Sequence, residues 1–441
     1  MTLATRRHAF VLGGGVAGLA AAFGLAERGL PVTLLESRGW LGGRAFSSID
    51  RTTGWRLDNG PHAMLGCYRA MRGLLQRLGT EGEFQQDQKL VMAYRTTDGR
   101  LERLRLSRLP VPLAMPFALL RLGMRPGARC RALRGIAGVV RGAPAPWTLD
   151  EWLRRRGQQG EPEAFLWRPL CRAIMNVEPA EASAADYLAT LREAFLGRAS
   201  SAAFWLPRRP WGAILGDAAP GALAAAGVVV RTGSRVVALH APSTRIEAIE
   251  LTDGERLAVG TDDLVVSAMP WFALRSLVPA AAATFGALRS APTVSAFFET
   301  AANAPALPDD GPVTALVDGD PFHFLLRTPG ADVRRFALLS GGHRGFDGMT
   351  VDAIAAQARS QLARHYRGVS LEGATVAIRK EQHATFVAAP GSRALRPAPG
   401  PLAGGPENLL VCGDWTATGL PATLEGAARS ALVMLRAVDG V

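Results

Sequence analysis

Lysine is almost missing from this 441-residue chain. Lys89 and Lys380 are the two it has, so arginine supplies the other 48 of its 50 basic residues. Cysteine is scarce as well: Cys67, Cys130, Cys171 and Cys412 lie far apart with no C-x-x-C pair. That spacing excludes a zinc ribbon and a disulfide scaffold, and it points to a reducing cytoplasm. No uninterrupted apolar run reaches the roughly 18–20 residues that a membrane-spanning helix needs. Glycine (49) and proline (29) are scattered without period, which excludes collagen-like or low-complexity sequence. What is present is 48% hydrophobic and 20% charged residues, enough to bury a large core and to exclude disorder as the main state. The length exceeds one ordinary domain of roughly 100–200 residues, so two or three interleaved lobes are expected.

The net charge of +12 is concentrated. Between Arg100 and Arg141 ten arginines face one acid, Glu102, so this stretch carries +9 of it. The same stretch holds the apolar run Val111–Leu120, broken by Pro112 and Pro116. Basic residues flanking a short apolar segment suit an anionic membrane surface. A solvated arginine face is the plainer alternative. Nucleic acid is not expected, because no nucleic-acid motif accompanies the charge. The segment Thr5-Arg6-Arg7-His8-Ala9-Phe10 imitates a twin-arginine export signal. Cleavage there would remove the fingerprint that follows it, so the chain is expected to stay in the cytoplasm.

Residues 8–12 (HAFVL) predict a short buried strand, followed at once by Gly13-Gly14-Gly15-Val16-Ala17-Gly18 opening an Ala-rich helix. A second strand, Pro31–Glu36, ends on an acid 18 residues beyond Gly18 and leads into Ser37. This order of elements is the dinucleotide-binding fingerprint. Gly13 permits the tight turn, Gly15 lets backbone approach a pyrophosphate, and Gly18 lets the helix pack on the sheet. The helix start, at Val16 and Ala17, offers unpaired N–H groups to the phosphates, and Glu36 suits a ribose. NAD and FAD share this pattern. At the far end, Asn408–Cys412 is another strand, ending at Gly413-Asp414, and a helix begins near Thr423-Leu424. An acid at a strand end facing a helix start suits a flavin's ribitol and pyrimidine side, although Asp414 alone could be an ordinary cap. One complete fingerprint leaves no separate NAD(P)H domain, so the electron donor, unknown here, must visit transiently or be a partner.

Leu41-Gly42-Gly43-Arg44 resembles the extension found in the amine oxidase and phytoene desaturase flavoproteins, in which the arginine approaches the cofactor. That resemblance also assigns an adenine contact to the backbone of Val236. It places Gly60, Pro61 and His62, within Leu57-Asp58-Asn59-Gly60-Pro61-His62, against the isoalloxazine. Over nearly the whole length the chain resembles the squalene-associated FAD-dependent desaturases, the hydroxysqualene dehydroxylase family of hopanoid gene sets. The likeness rests on GGGVAGLAAA, LGGRA, LDNGPHAMLGCYR, LWRPLCRAIMNVEPAEASA, REAFLGRASSAAFWLPR, EQHATFVAAP and GDWTATGLPATLEGAARSA. One departure is Pro61, where glutamine is commoner in the family.

The resemblance implies an α/β fold: a Rossmann-like FAD-binding domain with an inserted mixed α+β substrate domain and a helical membrane-facing segment. The expected divisions are a discontinuous FAD domain (1–75, 205–285 and 395–441), a helical substrate and membrane-contact region (76–204) and an antiparallel substrate-domain sheet (286–394). It further implies noncovalent FAD, a long-chain isoprenoid substrate (hydroxysqualene), reductive replacement of its hydroxyl by hydrogen, and a peripheral location on the inner face of the cytoplasmic membrane. His62 is the candidate acid or substrate orienter, or else it simply hydrogen-bonds backbone or flavin. Tyr68 and Asn176 are weaker candidates for catalysis. Phe195, Phe204, Trp205 and Trp211 either line a tunnel for a hydrocarbon or belong to the core. The rivals are an oxidative desaturase or amine oxidase and a non-catalytic lipid carrier. Residues 290–300 contain no lysine of the kind many amine oxidases hold near the flavin.

Overall fold

Four consecutive apolar residues, all buried, make Ala9–Leu12 (β1) a central strand with both faces covered. It pairs in parallel with Val32–Leu35 (β2) on one side and with Leu264–Ser267 on the other. The computed structural model describes residues 7–302, 307–328 and 331–439, so Thr5 and Arg6 of the export-like segment lie outside the described residues. Parallel strands Val228–Arg231 and Leu409–Val411 flank the three, and Gly400–Pro401 adds a short antiparallel edge. One sheet therefore joins residues from the start, the middle and the end of the chain.

The turn after β1 passes through Gly13 at φ +106°, a conformation that L side chains rarely adopt. The helix Val16–Ala26 (α1) follows, and ten of its eleven residues are buried. A helix buried all round needs small residues where its neighbours press. A Cβ on Gly18 would lie 1.8 Å from the Gly13 carbonyl oxygen, and one on Gly24 would lie 2.1 Å from Leu435. Leu435 belongs to the last helix, Leu424–Asp439, so the two ends of the polypeptide pack directly on each other.

A second sheet of seven strands runs in the order Thr375–Phe386, Ser290–Glu299, Arg335–Gly341, Phe324–Leu326, Val313–Leu316, Val91–Arg95, Leu101–Arg105. It departs from expectation in two respects. Two of its strands come from the stretch 76–204, which is therefore not helical throughout: Asp98-Gly99 makes a hairpin turn, with Gly99 at φ +87°. And Val313–Leu316 meets Val91–Arg95 in parallel, so the sheet is not antiparallel throughout. The remainder of 76–204 is largely helical, including Val111–Arg121, Pro126–Arg141, Arg168–Met175 and Ala184–Phe195. Among the described residues no helix is long and apolar enough to cross a membrane.

Candidate functional site

Between the two sheets lies a cavity of about 1190 Å³. One end is a crevice of glycine backbone. Gly13, Gly15, Val16 and Ala17 face Gly42 and Gly43 across it. The two loops approach so closely that a Cβ on Gly43, at φ +60°, would come within 2.8 Å of Gly15 Cα. Gly15 starts α1 with no side-chain cap and no acid in the first turn, so the helix-start N–H groups are free to receive an anion. Glu36 braces this loop: its carboxylate accepts from Gly14 N (2.7 Å), Arg38 N (2.8 Å) and Ser37 Oγ (3.1 Å). Gly18 stands outside the lining and serves the packing of α1.

Arg44 joins three distant segments. Its Nη1 donates to the Ala384 carbonyl at 2.8 Å and its Nη2 to Asp414 Oδ1 at 2.5 Å. Burial works to lower the guanidinium pKa, but Asp414 and Glu381 outweigh it and the net displacement is upward. Asp414 itself is 5% exposed and sits after Gly413, whose N–H donates to Ser430 Oγ at 2.7 Å. Thr423 and Leu424, at the start of the last helix, line the same region, as do Val236, Ser37, Gly60, Pro61 and His62. A cradle walled by glycine, ending in an uncapped helix start and an Arg–Asp pair, fits a dinucleotide.

The His62 loop is held from behind. Trp211, fully buried, donates through Nε1 to the His62 carbonyl at 3.0 Å, and its own N–H donates to Asp58 at 2.8 Å. His62 Nδ1 is buried without a hydrogen-bond partner. Burial, reinforced by Arg44, pushes its imidazole down to about 4, so the ring is neutral at pH 7. A neutral imidazole can orient a hydroxyl but carries no spare proton. Tyr68 also lines the cavity, and burial raises its phenol well above the ordinary value.

Beyond the crevice the walls turn apolar: Leu65, Leu90, Met92, Leu170, Ile174, Phe195, Phe204, Phe324 and Leu339. Phe195 and Phe204 are thus lining, whereas Trp205 and Trp211 are core. At the junction stands Asn176, the helix end at φ +54°. Its Nδ2 donates to Thr385 Oγ1 (2.9 Å) and to the Pro292 carbonyl (3.3 Å), and its Oδ1 accepts from Thr293 Oγ1 (3.3 Å). Both amide hydrogens are engaged, so Asn176 ties the strands 290–299 and 375–386 to the helix. Sequence reasoning did not single out Glu381, His383, Ala384, Thr385 or Thr293, all of which line the cavity. The polar run Glu381–Thr385 within a strand was the available signal; its neighbours in space were not.

A cofactor crevice opening into an apolar chamber defines a flavin-dependent oxidoreductase. Residues 16–434 match the family described as flavin-containing amine oxidoreductase, and the chain belongs to that family. Within it, the chain is 30% identical over 95% of its length to a Rhodopseudomonas palustris protein named hydroxysqualene dehydroxylase, covering 95% of that protein. It is likewise 30% identical to a Sinorhizobium fredii protein of the same name, with 96% of each covered. The fold is shared with an oxidoreductase from Methanosarcina mazei (TM-score 0.74, 16% identity, 98% of this chain and 100% of that one).

Proposed function

We propose that this enzyme binds FAD noncovalently and reduces hydroxysqualene to squalene, a step of hopanoid synthesis. One observation carries the reading: the glycine crevice and the apolar chamber are a single cavity, so a hydrocarbon chain and a dinucleotide can share it. Gly13, Gly15, Val16, Ala17, Glu36, Ser37, Gly43, Arg44, Val236, Gly413, Asp414, Thr423 and Leu424 would hold the FAD, with Gly60, Pro61 and His62 along its ring. Reduced flavin, when bound, supplies hydride to the carbon that loses its hydroxyl. The balance is alcohol plus proton plus hydride giving hydrocarbon plus water. The chain's own part is to exclude bulk water with the apolar walls and to orient the hydroxyl through neutral His62.

The membrane reading has its own support. On the helix Val111–Arg121, Leu113 (58%), Phe117 (60%) and Leu120 (47%) are exposed at helical spacing, and Leu109 precedes them. Arg105, Arg108, Arg121, Arg134 and Arg141, on this helix and the segments on either side of it in sequence, are exposed with no ion-pair partner among the described residues. An exposed apolar ridge in a segment rich in unpaired arginine suits an anionic leaflet, here the inner face of the cytoplasmic membrane. The reaction is tested by anaerobic mixing of the dithionite-reduced, flavin-loaded enzyme with hydroxysqualene. Squalene formed in step with flavin reoxidation is the expected result. Oxidised polyenes formed from a saturated precursor by the oxidised enzyme would instead mark a desaturase.

A further inference from the structure

The helix Arg168–Met175 presents Leu170, Ala173 and Ile174 to the cavity, and Arg172 among them. Arg172 also lines a second space, a polar cleft of about 40 Å³ shared with Arg168, Asp318, Asp320 and His323. Arg172 therefore borders both the reaction chamber and this cleft. Its Nε donates to Glu178 Oε1 at 2.7 Å and its Nη2 to Asp320 Oδ1 at 2.9 Å. The side chains of Asp320 and Glu178 are 60% and 39% exposed, so the cleft reaches bulk solvent.

His323 forms the inner end. It is 2% exposed, and its Nδ1 accepts from the Gly341 N–H at 3.3 Å, which leaves the ring proton on Nε2. That Nε2 has no hydrogen-bond partner; Asp320 Oδ1 stands 3.6 Å away and Glu178 Oε1 3.9 Å away. Both distances are too long for a direct hydrogen bond. A buried N–H with no partner is unfavourable, so the site favours an added acceptor. A water needs roughly 10–15 Å³ of such space, so the cleft of about 40 Å³ has room for about three or four. Burial, with Arg172, His343 and Arg168 nearby, pushes the His323 imidazole well down, so Nε2–H persists as a donor. Gly341, bonded to His323, lines the main cavity as well.

We infer that this cleft is a water port into the reaction cavity and that Arg172 is its gate. The traffic it carries rests on the reductive reading above. The alcohol oxygen takes a proton and departs as water with the C–O bonding pair, while hydride from the reduced flavin completes the C–H bond. A thirty-carbon chain filling the apolar arm leaves that water trapped beside an electron-poor allylic carbon, where it can add back. The port lets a proton arrive and the water leave without opening the apolar arm.

Two variants of the full-length, flavin-loaded enzyme test this. Arg172→Ala opens the gate, and Ala164→Leu fills the cleft from a position on its wall. Hydrogen exchange at the Gly341 amide is measured without substrate. It should quicken about tenfold in Arg172→Ala and slow in Ala164→Leu, with amides elsewhere unchanged. In single turnovers run in ¹⁸O-water, Arg172→Ala should place label in recovered alcohol and lower the squalene share severalfold, while Ala164→Leu should slow flavin reoxidation with an unchanged flavin spectrum. Gly341 exchange that is the same in all three proteins, or that moves together with every other amide, overturns the port. A wild-type enzyme inert toward hydroxysqualene overturns the reductive reading instead, and the exchange data still judge the port.

Discussion

Asp58 makes a stability prediction whose sign runs against ordinary acid denaturation. It ends the strand Arg56–Asp58 and accepts, on the same Oδ1, from Ser47 Oγ at 2.6 Å and from Trp211 N at 2.8 Å. Trp211 in turn holds the His62 carbonyl, so Asp58 braces the loop at the candidate flavin ring. Burial raises this carboxyl from 3.8 to about 6, and its hydrogen bonds only partly oppose that. Between those two values the folded protein binds a proton that the unfolded chain releases. Its contribution is therefore whole below about pH 4 and is lost as pH rises through 6. At 1.36 kcal/mol per pH unit the loss is about 3 kcal/mol, and the residual solvent contact of the side chain trims it to about 1–3 kcal/mol. Asp58→Asn keeps Oδ1 as acceptor for both bonds and never ionises. The variant should melt a few degrees higher than wild type at pH 7.5, and the gap should close at pH 4, as read by calorimetry on both proteins in parallel. A variant less stable at pH 7.5, or a gap independent of pH, would refute the assignment of a buried, reluctantly ionised carboxylate.

Four further outcomes are expected. Gly43→Ala should yield folded but colourless protein, because its Cβ would close on Gly15 Cα at 2.8 Å; flavin absorbance at ordinary intensity would count against the crevice. Arg44→Met leaves the buried Asp414 carboxylate without its ion-pair partner at the crevice end, so flavin affinity should fall at least tenfold by titration. Arg44→Lys should recover little of it, since an ammonium does not reproduce the fork that spans Ala384 and Asp414. Leu113→Asp with Phe117→Asp should abolish sedimentation with phosphatidylglycerol vesicles while leaving the flavin spectrum intact; unchanged sedimentation would remove the apolar ridge as the docking face.

The parts of this molecule that were legible in sequence are those whose causes are local. β1, the glycine turn, α1 and β2 follow one another within thirty residues, and each position is constrained by its neighbours' backbone geometry. The Asp98-Gly99 hairpin was equally local; its turn signal stood in a stretch dominated by arginine and aliphatic helix patterns. What stayed hidden depends on partners far away in the chain. Nothing near Arg44 announces that Ala384, 340 residues on, takes its second hydrogen bond. The neutrality of His62 is likewise a product of burial by other segments, and it changes the chemistry open to that ring.

Asn176 shows the same limit from the other side. An asparagine after a helix reads as either a cap or a reactive amide, and the structure gives it a bridging position. A Cβ on Gly341 would come within 2.2 Å of its Oδ1, so strand and helix end can meet only because residue 341 is glycine. The amide then spends its hydrogens on Pro292 and Thr385, and the polar junction it creates lies one helical turn from Arg172. A polar junction of the chamber wall and the gated cleft therefore share one short helix. A substitution that shifts the Arg168–Met175 helix should disturb the strand junction at Asn176 and water traffic together, whereas one confined to the glycine crevice should alter flavin binding alone.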